Sequence, residues 1–194
     1  MNFQERIYSV LVVSASEAFF AALSPLLPAS RYQPVVTVSN ISAAKRALAE
    51  RSYDFVIVNS PLPDNPGVRF AADACTARGT VSLLFARADV HGEIYNKVAE
   101  YGVFTLPKPT SQQTISQALH WMASVRERLR QFEKKTLSIE EKMEEIRLVN
   151  RAKWLLIREL KMDEPNAHRY IEKQAMDRCV SRKTVAQELI KIYS

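Results

Sequence analysis

The chain has 194 residues, of which 47% are apolar, and it carries a formal net charge of +6 at pH 7. This composition can form a hydrophobic core and leaves room for one ordinary domain with a smaller second unit. Two cysteines far apart in sequence argue against a disulfide framework and a zinc site, and no apolar run of about 18 residues could span a membrane, so we expect a cytoplasmic protein.

Short apolar runs alternate with helical sequence through the first 120 residues. The runs predict five strands, at residues 8–13, 35–38, 55–58, 81–85 and 103–106. Their nearly continuous apolar character indicates strands that are buried on both faces. The order of elements therefore predicts an α/β fold, with a flavodoxin-like, doubly wound parallel sheet of five strands.

In folds of this kind the functional crevice lies at the carboxyl ends of the strands. The residues expected at those ends are Ser14, Ala15, Ser16, Asn59, Ala86 and Lys108. The strand order, the segment 59–63 (Asn-Ser-Pro-Leu-Pro) and the Lys108-Pro109 pair make residues 6–123 resemble a two-component receiver domain. We therefore treat residues 1–123 as a receiver-like domain.

The resemblance also shows what this crevice lacks. In receivers, paired acidic residues after the first strand hold Mg²⁺, an Asp ends the third strand and accepts phosphate, a Ser or Thr ends the fourth, and a Lys ends the fifth. Here those places hold Ser14 with Ala15, Asn59, Ala86 and Lys108. Mg²⁺ needs anionic oxygen ligands and phosphoryl transfer needs a carboxylate nucleophile. We therefore expect a pseudo-receiver with no phosphoacceptor, no metal and no cofactor.

Two alternatives remain open for the crevice. Lys108 could be retained only for packing or hydrogen bonding. A weaker possibility is that Lys108, Arg87 and Asn59 bind a small ligand or an acidic regulatory protein.

From about residue 110, apolar residues recur at seven-residue intervals in two series offset by three, which predicts a long coiled-coil-like helix. We expect residues 124–137 to form a helical linker. Part of the helix would pair with a second copy through a dimer seam formed by Val125, Leu129, Phe132, Ile139, Met143 and Ile146. The alternative is an amphipathic helix that lies on its own domain, since polar Thr136 and Asn150 also occur in the pattern.

The last third reads as a small all-α domain of three helices at residues 138–194. One helix ends near Leu160, a second is capped by Asp163 with Pro165 in its first turn, and a third is capped by Ser181. The basic excess lies in the C-terminal part of the chain, because residues 121–194 hold 17 Lys and Arg against 12 Asp and Glu. Such a surplus is compatible with a polyanionic partner.

Segments 151–156, 164–177 and 182–186 resemble, in order and spacing, the ANTAR domain, a three-helix RNA-binding module found behind receivers in transcription antitermination regulators. The resemblance implies binding to paired RNA hairpins in leader transcripts. Trp154 departs from the family pattern, in which many members have Gly, and we expect this side chain in the core.

The residues suited to contact RNA phosphates or loop bases are Lys153, Arg169, Tyr170, Lys173, Arg178, Arg182 and Lys183, with His168 as a further stacking candidate. Two other functions stay open: a DNA-binding transcription factor with residues 181–190 as recognition helix, and a protein-interaction adaptor. An enzyme is disfavoured, because we find no nucleophile–base pair, metal-ligand cluster or Gly-rich phosphate loop in the sequence.

Overall fold

The structure is a computed structural model that describes residues 6–76 and 79–193. It divides into two compact units, Met1–Gln131 (unit 1) and Phe132–Ser194 (unit 2), with the boundary inside the predicted linker. Within the described ranges, no helix combines the length and the apolar character needed to cross a membrane.

Unit 1 contains a parallel sheet of five strands, as predicted. The strands are β1 (Tyr8–Val13), β2 (Tyr32–Val38), β3 (Phe55–Asn59), β4 (Val81–Arg87) and β5 (Phe104–Lys108). Their order in the sheet is β2-β1-β3-β4-β5, and every neighbouring pair is parallel. The registers place Asn59 beside Phe85 and Arg87 beside Lys108, so the predicted crevice residues of β3 and β5 end at one edge.

Helices α1 (Glu17–Leu23), α2 (Ile41–Glu50), α3 (Val68–Thr76) and α4 (His91–Val98) connect the strands. Two separate hydrophobic clusters cover the sheet. One contains Phe55, Phe85 and Met122, and the other contains Val56 and Leu84. Strands buried on both faces explain the continuous apolar runs in the sequence.

Helix α5 (Gln112–Leu160) begins in unit 1 and ends in unit 2. At its start, Ile115, Ala118 and Met122 are buried in the sheet core, and Leu129 is half-buried against the same core. The first part of the heptad pattern is therefore used within unit 1, as in the alternative of an amphipathic helix on its own domain. Leu129, assigned to the dimer seam, thus has an apolar partner inside its own chain.

The other residues of the dimer seam are exposed. The exposed fractions are 37% for Val125, 53% for Phe132, 49% for Ile139, 51% for Met143 and 60% for Ile146. Four of the five lie in unit 2. The structure thus presents a run of large apolar side chains at helical spacing along the middle of α5.

Asp54, directly before β3, links the sheet to α5. Its Oδ1 accepts hydrogen bonds from Arg126 Nε and Arg130 Nη2, both at 2.8 Å, and its Oδ2 accepts from the Ser9 backbone N–H at 3.0 Å. Burial alone would raise the pKa of Asp54, but the hydrogen bonds from Ser9, Arg126 and Arg130 outweigh it and hold the pKa below its usual value. This ionised network fixes the first part of α5 on unit 1.

Unit 2 consists of the end of α5, α6 (Glu164–Asp177) and α7 (Arg182–Tyr193), which confirms the predicted three helices. Asp163 caps α6 by accepting from Asn166 N–H at 2.8 Å, and Ser181 Oγ accepts from Thr184 N–H at 3.1 Å at the start of α7. The core of the unit is built from small and aliphatic side chains of all three helices: Ala152, Leu156, Ala167, Ile171, Val185, Ala186 and Leu189.

The expectation that Trp154 lies in this core is wrong, because its side chain is 72% exposed. The core-facing positions of this part of α5 are Val149, Ala152 and Leu156, at helical spacing, and Trp154 is on the opposite side of the helix from them.

Candidate functional site

The structure brings three of the predicted crevice residues into one hydrogen-bonded chain at the carboxyl edge of the sheet. Lys108 Nζ donates to Asn59 Oδ1 at 2.7 Å and to the Ser60 carbonyl oxygen. Asn59 Nδ2 donates to Ser14 Oγ at 2.9 Å, and Ser14 Oγ also accepts from the Ser16 N–H at 3.1 Å. Ser14, Asn59 and Ser60 are all buried.

The electrostatics of these hydrogen-bonded residues differ from those of a phosphoryl-transfer site. The cationic Lys108 meets an amide and a carbonyl oxygen, and burial lowers the pKa of Lys108. The amide oxygen of Asn59 is occupied by Lys108 and its nitrogen by Ser14, and an amide cannot form an acyl phosphate. The three side chains satisfy one another, and their geometry suits a structural role.

Of the remaining crevice candidates, Ser16 contributes only its backbone N–H and uses its side chain to cap α1, and the other three add no polar group to these hydrogen bonds. Ala15 is exposed next to Ser14, and Ala86 is fully buried opposite Pro107. Arg87, considered as a ligand contact, instead forms an ion pair with Asp89, with Nε at 3.1 Å from Oδ1.

In unit 2 the helices enclose a groove of about 140 Å³ lined by Glu145, Ile146, Val149, Asn150, Lys153, His168 and Arg182. Two of the predicted RNA contacts, Lys153 and Arg182, therefore meet at one place, together with the His168 ring. Asn150, which the heptad pattern suggested only as a seam residue, adds an exposed amide. The amide of Asn150 and the ring of His168 can hydrogen-bond to a base edge. The cations Lys153 and Arg182 are suited to contact phosphate. We call it the polar groove.

Both cations of the polar groove have carboxylate partners within unit 2. Lys153 Nζ lies 3.0 Å from Glu164 Oε1, and Arg182 lies 3.0 Å from Glu145 and 3.7 Å from Glu172. The side chain of Lys153 is only 15% exposed. These ion pairs position the two side chains but reduce the charge that they offer to a polyanion.

Two further predicted RNA contacts are also engaged inside unit 2. Arg178 forms a bidentate pair with Glu188 at 2.6 and 2.9 Å. The hydrogen bonds that Arg178 donates to the Glu188 carboxylate raise the pKa of Arg178 and lower the pKa of Glu188. Tyr170 is half-buried against the core cluster, so only part of its ring reaches solvent.

Three predicted cations form no ion pair with another described residue. Arg169 and Lys173 are exposed, lie one turn apart on α6, and have no ion pair among residues 6–76 and 79–193. Lys183, half-buried in the first turn of α7, likewise has no such partner among these described residues. We call Arg169 and Lys173 the α6 cation pair. Arg169 directly follows His168, the residue of α6 that lines the polar groove, so the pair lies about 100° further round the helix.

Sequence reasoning missed two features of the chain. Asp54 gave no signal because its Arg partners lie more than seventy residues away in sequence. The exposure of Trp154 does have a signal, since Val149, Ala152 and Leu156 define one apolar face of the helix and position 154 lies on the opposite side.

Comparison with known proteins agrees with the geometry of unit 2. Residues 138–190 match the model of the ANTAR domain family. Over 139 residues, 71% of this chain and 67% of the relative, the chain is 27% identical to the "Transcriptional regulatory protein PdtaR" of Mycobacterium tuberculosis, in strains CDC 1551 / Oshkosh and ATCC 25618 / H37Rv. Both matches are to regulatory proteins, and the chain contains an ANTAR domain.

Solved structures agree with the sheet topology of unit 1. The signal receiver domain of an HD domain-containing protein from Pseudomonas fluorescens Pf-5 has a TM-score of 0.58 and 23% identity, over 68% of this chain and 96% of that one. An adenylate cyclase structure from Rhodopirellula baltica has a TM-score of 0.60 and 17% identity, over 66% and 96%. At these identities the likeness shows the fold, which is receiver-like.

Proposed function

We propose that this protein is a transcription antitermination regulator that binds paired stem-loops in leader transcripts through its ANTAR domain. The polar groove, in which two cations, an amide and an imidazole meet on a three-helix unit, carries the proposal. The ANTAR match and the name of the curated relative as a transcriptional regulator support it.

The charge of unit 2 supports a nucleic-acid partner. The unit holds 14 Lys and Arg against 11 Asp and Glu, and the excess lies in residues 146–194, with 11 against 6. The α6 cation pair adds exposed charge to a unit in which the cations of the polar groove are partly neutralised. Phosphate contacts would then come mainly from Arg169 and Lys173, and base contacts from Asn150 and His168 in the groove. RNA suits this division better than duplex DNA, because loop bases can be splayed out and read in a groove.

Unit 1 is, in this proposal, a pseudo-receiver that is not controlled by phosphorylation. The support is the closed hydrogen-bonded chain of Lys108, Asn59 and Ser14, which puts an amide where receivers have the acceptor carboxylate. Control would come from constitutive assembly, a ligand or a partner protein.

A homodimer that forms through α5 completes the proposal. The exposed residues Phe132, Ile139 and Ile146, seven residues apart, and Met143 of the second series support it, because large apolar side chains in two such series are typical of coiled-coil pairing. A dimer would present two polar grooves, which fits a target made of two stem-loops.

The role of the α6 cation pair can be tested by reversing its charge. In the R169E/K173E variant, no ion pair among the described residues is broken, so unit 2 should stay folded. We expect hairpin affinity to fall at least tenfold and the slope of log affinity against log salt to decrease by about 1.5, since each phosphate contact contributes about 0.7 to 0.9. Binding is measured by fluorescence anisotropy over a salt series.

The matched control is K45E/R46E, which makes the same charge change at two adjacent exposed residues of α2 in unit 1. Long-range electrostatics alone would weaken both variants equally. A selective loss in R169E/K173E supports binding through the ANTAR domain, whereas an equal loss, or no loss in either, would refute it.

A further inference from the structure

Trp154 is an exposed aromatic residue that neither the fold nor the proposed contacts so far explain. Its side chain is 72% exposed, and the core of unit 2 is complete without it. Single exposed apolar side chains are normal on protein surfaces, so exposure alone does not indicate a partner, but an indole among cations does. The neighbours of Trp154 on α5 indicate which kind of partner this is.

The position of Trp154 connects it with the polar groove. Ile146, Asn150 and Trp154 are spaced four residues apart on α5, so that each is a surface neighbour of the next. Ile146 and Asn150 line the groove. The indole ring therefore lies one helical turn beyond the exposed amide of Asn150.

Cations surround Trp154 on the same part of the helix. Arg151 precedes Trp154 by three residues and Arg158 follows it by four, so both are its surface neighbours on the helix. Arg147 lies one turn before Arg151 on the same side of α5. Arg158 has an exposed ion pair with Glu159, whereas Arg147 and Arg151 have none within the part of the chain that the structure describes. An aromatic ring among arginines is suited to bind a polyanion whose bases have exposed π-faces. A second copy of this chain is a less suitable partner, because its own arginines would repel those around Trp154.

We propose that Trp154 stacks on one unpaired base of the RNA loop, at the edge of the polar groove, with Arg147 and Arg151 on the adjoining phosphates. This inference rests on the proposed binding of hairpin RNA and adds to it the residue that holds a base. Stacking requires no particular base, so the polar groove would supply selectivity and Trp154 would supply affinity.

The test compares W154A, W154F and the control M176A for binding to a two-stem-loop RNA. Met176 is 77% exposed, so its truncation removes a similarly solvated side chain from unit 2. We expect W154A to weaken binding about 5- to 150-fold, as base–aromatic stacking implies, W154F to keep most of the affinity, and M176A to change nothing. Replacing the loop bases one by one with abasic sites should weaken the wild type at one position and leave W154A unaffected there.

A second readout uses fluorescence. The chain has two tryptophans, so in W121F the emission comes from Trp154 alone, and stacking should quench it when RNA is added. If the wild type binds RNA and W154A binds equally well, the stacking role is refuted while the proposed function stands. If the wild type binds no hairpin, both fall. If W154A instead converts a dimer into a monomer in light scattering, Trp154 belongs to an interface between copies and the inference is overturned.

Discussion

Replacing Asp54 with Asn tests whether the ionised network at the start of α5 stabilises unit 1. The substitution keeps the size of the side chain but removes the charge that Arg126 and Arg130 share. The side chains of Asp54, Arg126 and Arg130 are only 13%, 12% and 25% exposed, so solvent screens these pairs weakly. Each hydrogen bond to a charged group contributes about 1.5 to 3 kcal/mol, and Asn can still accept one of them.

We therefore expect D54N to lower the free energy of unfolding of unit 1 by about 2 to 4 kcal/mol, near the range for breaking a buried ion pair. With a urea m-value of about 2 kcal/mol/M, the unfolding midpoint would fall by about 1 to 2 M. The assay is urea unfolding of the full chain by circular dichroism, with hydrogen exchange of β1 and β3 assigning the transition to unit 1. D73N is the control, because Asp73 is 63% exposed and 4.0 Å from Arg69, and should change stability by at most about 0.5 kcal/mol.

The effect of D54N should also depend on pH. The folded pKa of Asp54 is lowered, so the stabilisation is fully present above its unfolded pKa of about 3.9 and is lost as pH falls through the folded pKa. The difference in free energy of unfolding between the wild type and D54N should thus be constant from pH 5 to 7 and shrink below pH 4. An unchanged midpoint at pH 7, or a difference that does not shrink at all as the pH falls below 4, would show that the network does not stabilise unit 1 through its charge.

Three further predictions follow from the crevice, α5 and the core of unit 2. Incubation with acetyl phosphate and Mg²⁺ should give no phosphoryl adduct by intact mass on the wild type or on N59D, which regains the acceptor but not the metal ligands; an adduct on the wild type would contradict the pseudo-receiver. The I139D/I146D variant should be a folded monomer by light scattering where the wild type is a dimer, and a monomeric wild type would exclude the dimer seam. L156A, which truncates a fully buried side chain, should destabilise unit 2 by about 2 to 5 kcal/mol and abolish its hairpin binding. The control L160A, at a 42% exposed position, should have a small effect. Equal effects of the two substitutions would refute the core assignment.

The sheet could be predicted from the sequence because strands buried on both faces must be apolar throughout, as at Val56 and Leu84. The start of β2 could not, since Gln33 and Pro34 interrupt the apolar run. The strand nevertheless begins at Tyr32, whose ring packs against Phe55 and whose backbone pairs beside Tyr8. Long-range packing of this kind leaves no local pattern.

The heptad pattern could not separate packing within the chain from packing between chains, because both require apolar residues at the same spacing. Met122 is buried in unit 1 while Met143, three heptads later, is exposed. The candidate site shows a similar limit. The basic residues of unit 2 were identifiable, but the carboxylate of Glu164, eleven residues from Lys153, neutralises one of them only after α6 folds back beside α5.

Competition between RNA and DNA tests the central claim most directly. The full chain is titrated with a two-stem-loop leader RNA and with duplex DNA of equal length, at several salt concentrations. We predict that the RNA binds at least a hundredfold more tightly at physiological salt and that this ratio persists when phosphate contacts are screened. Equal affinity for the two, or a preference for the duplex, would contradict the assignment of unit 2 as an RNA stem-loop-binding domain.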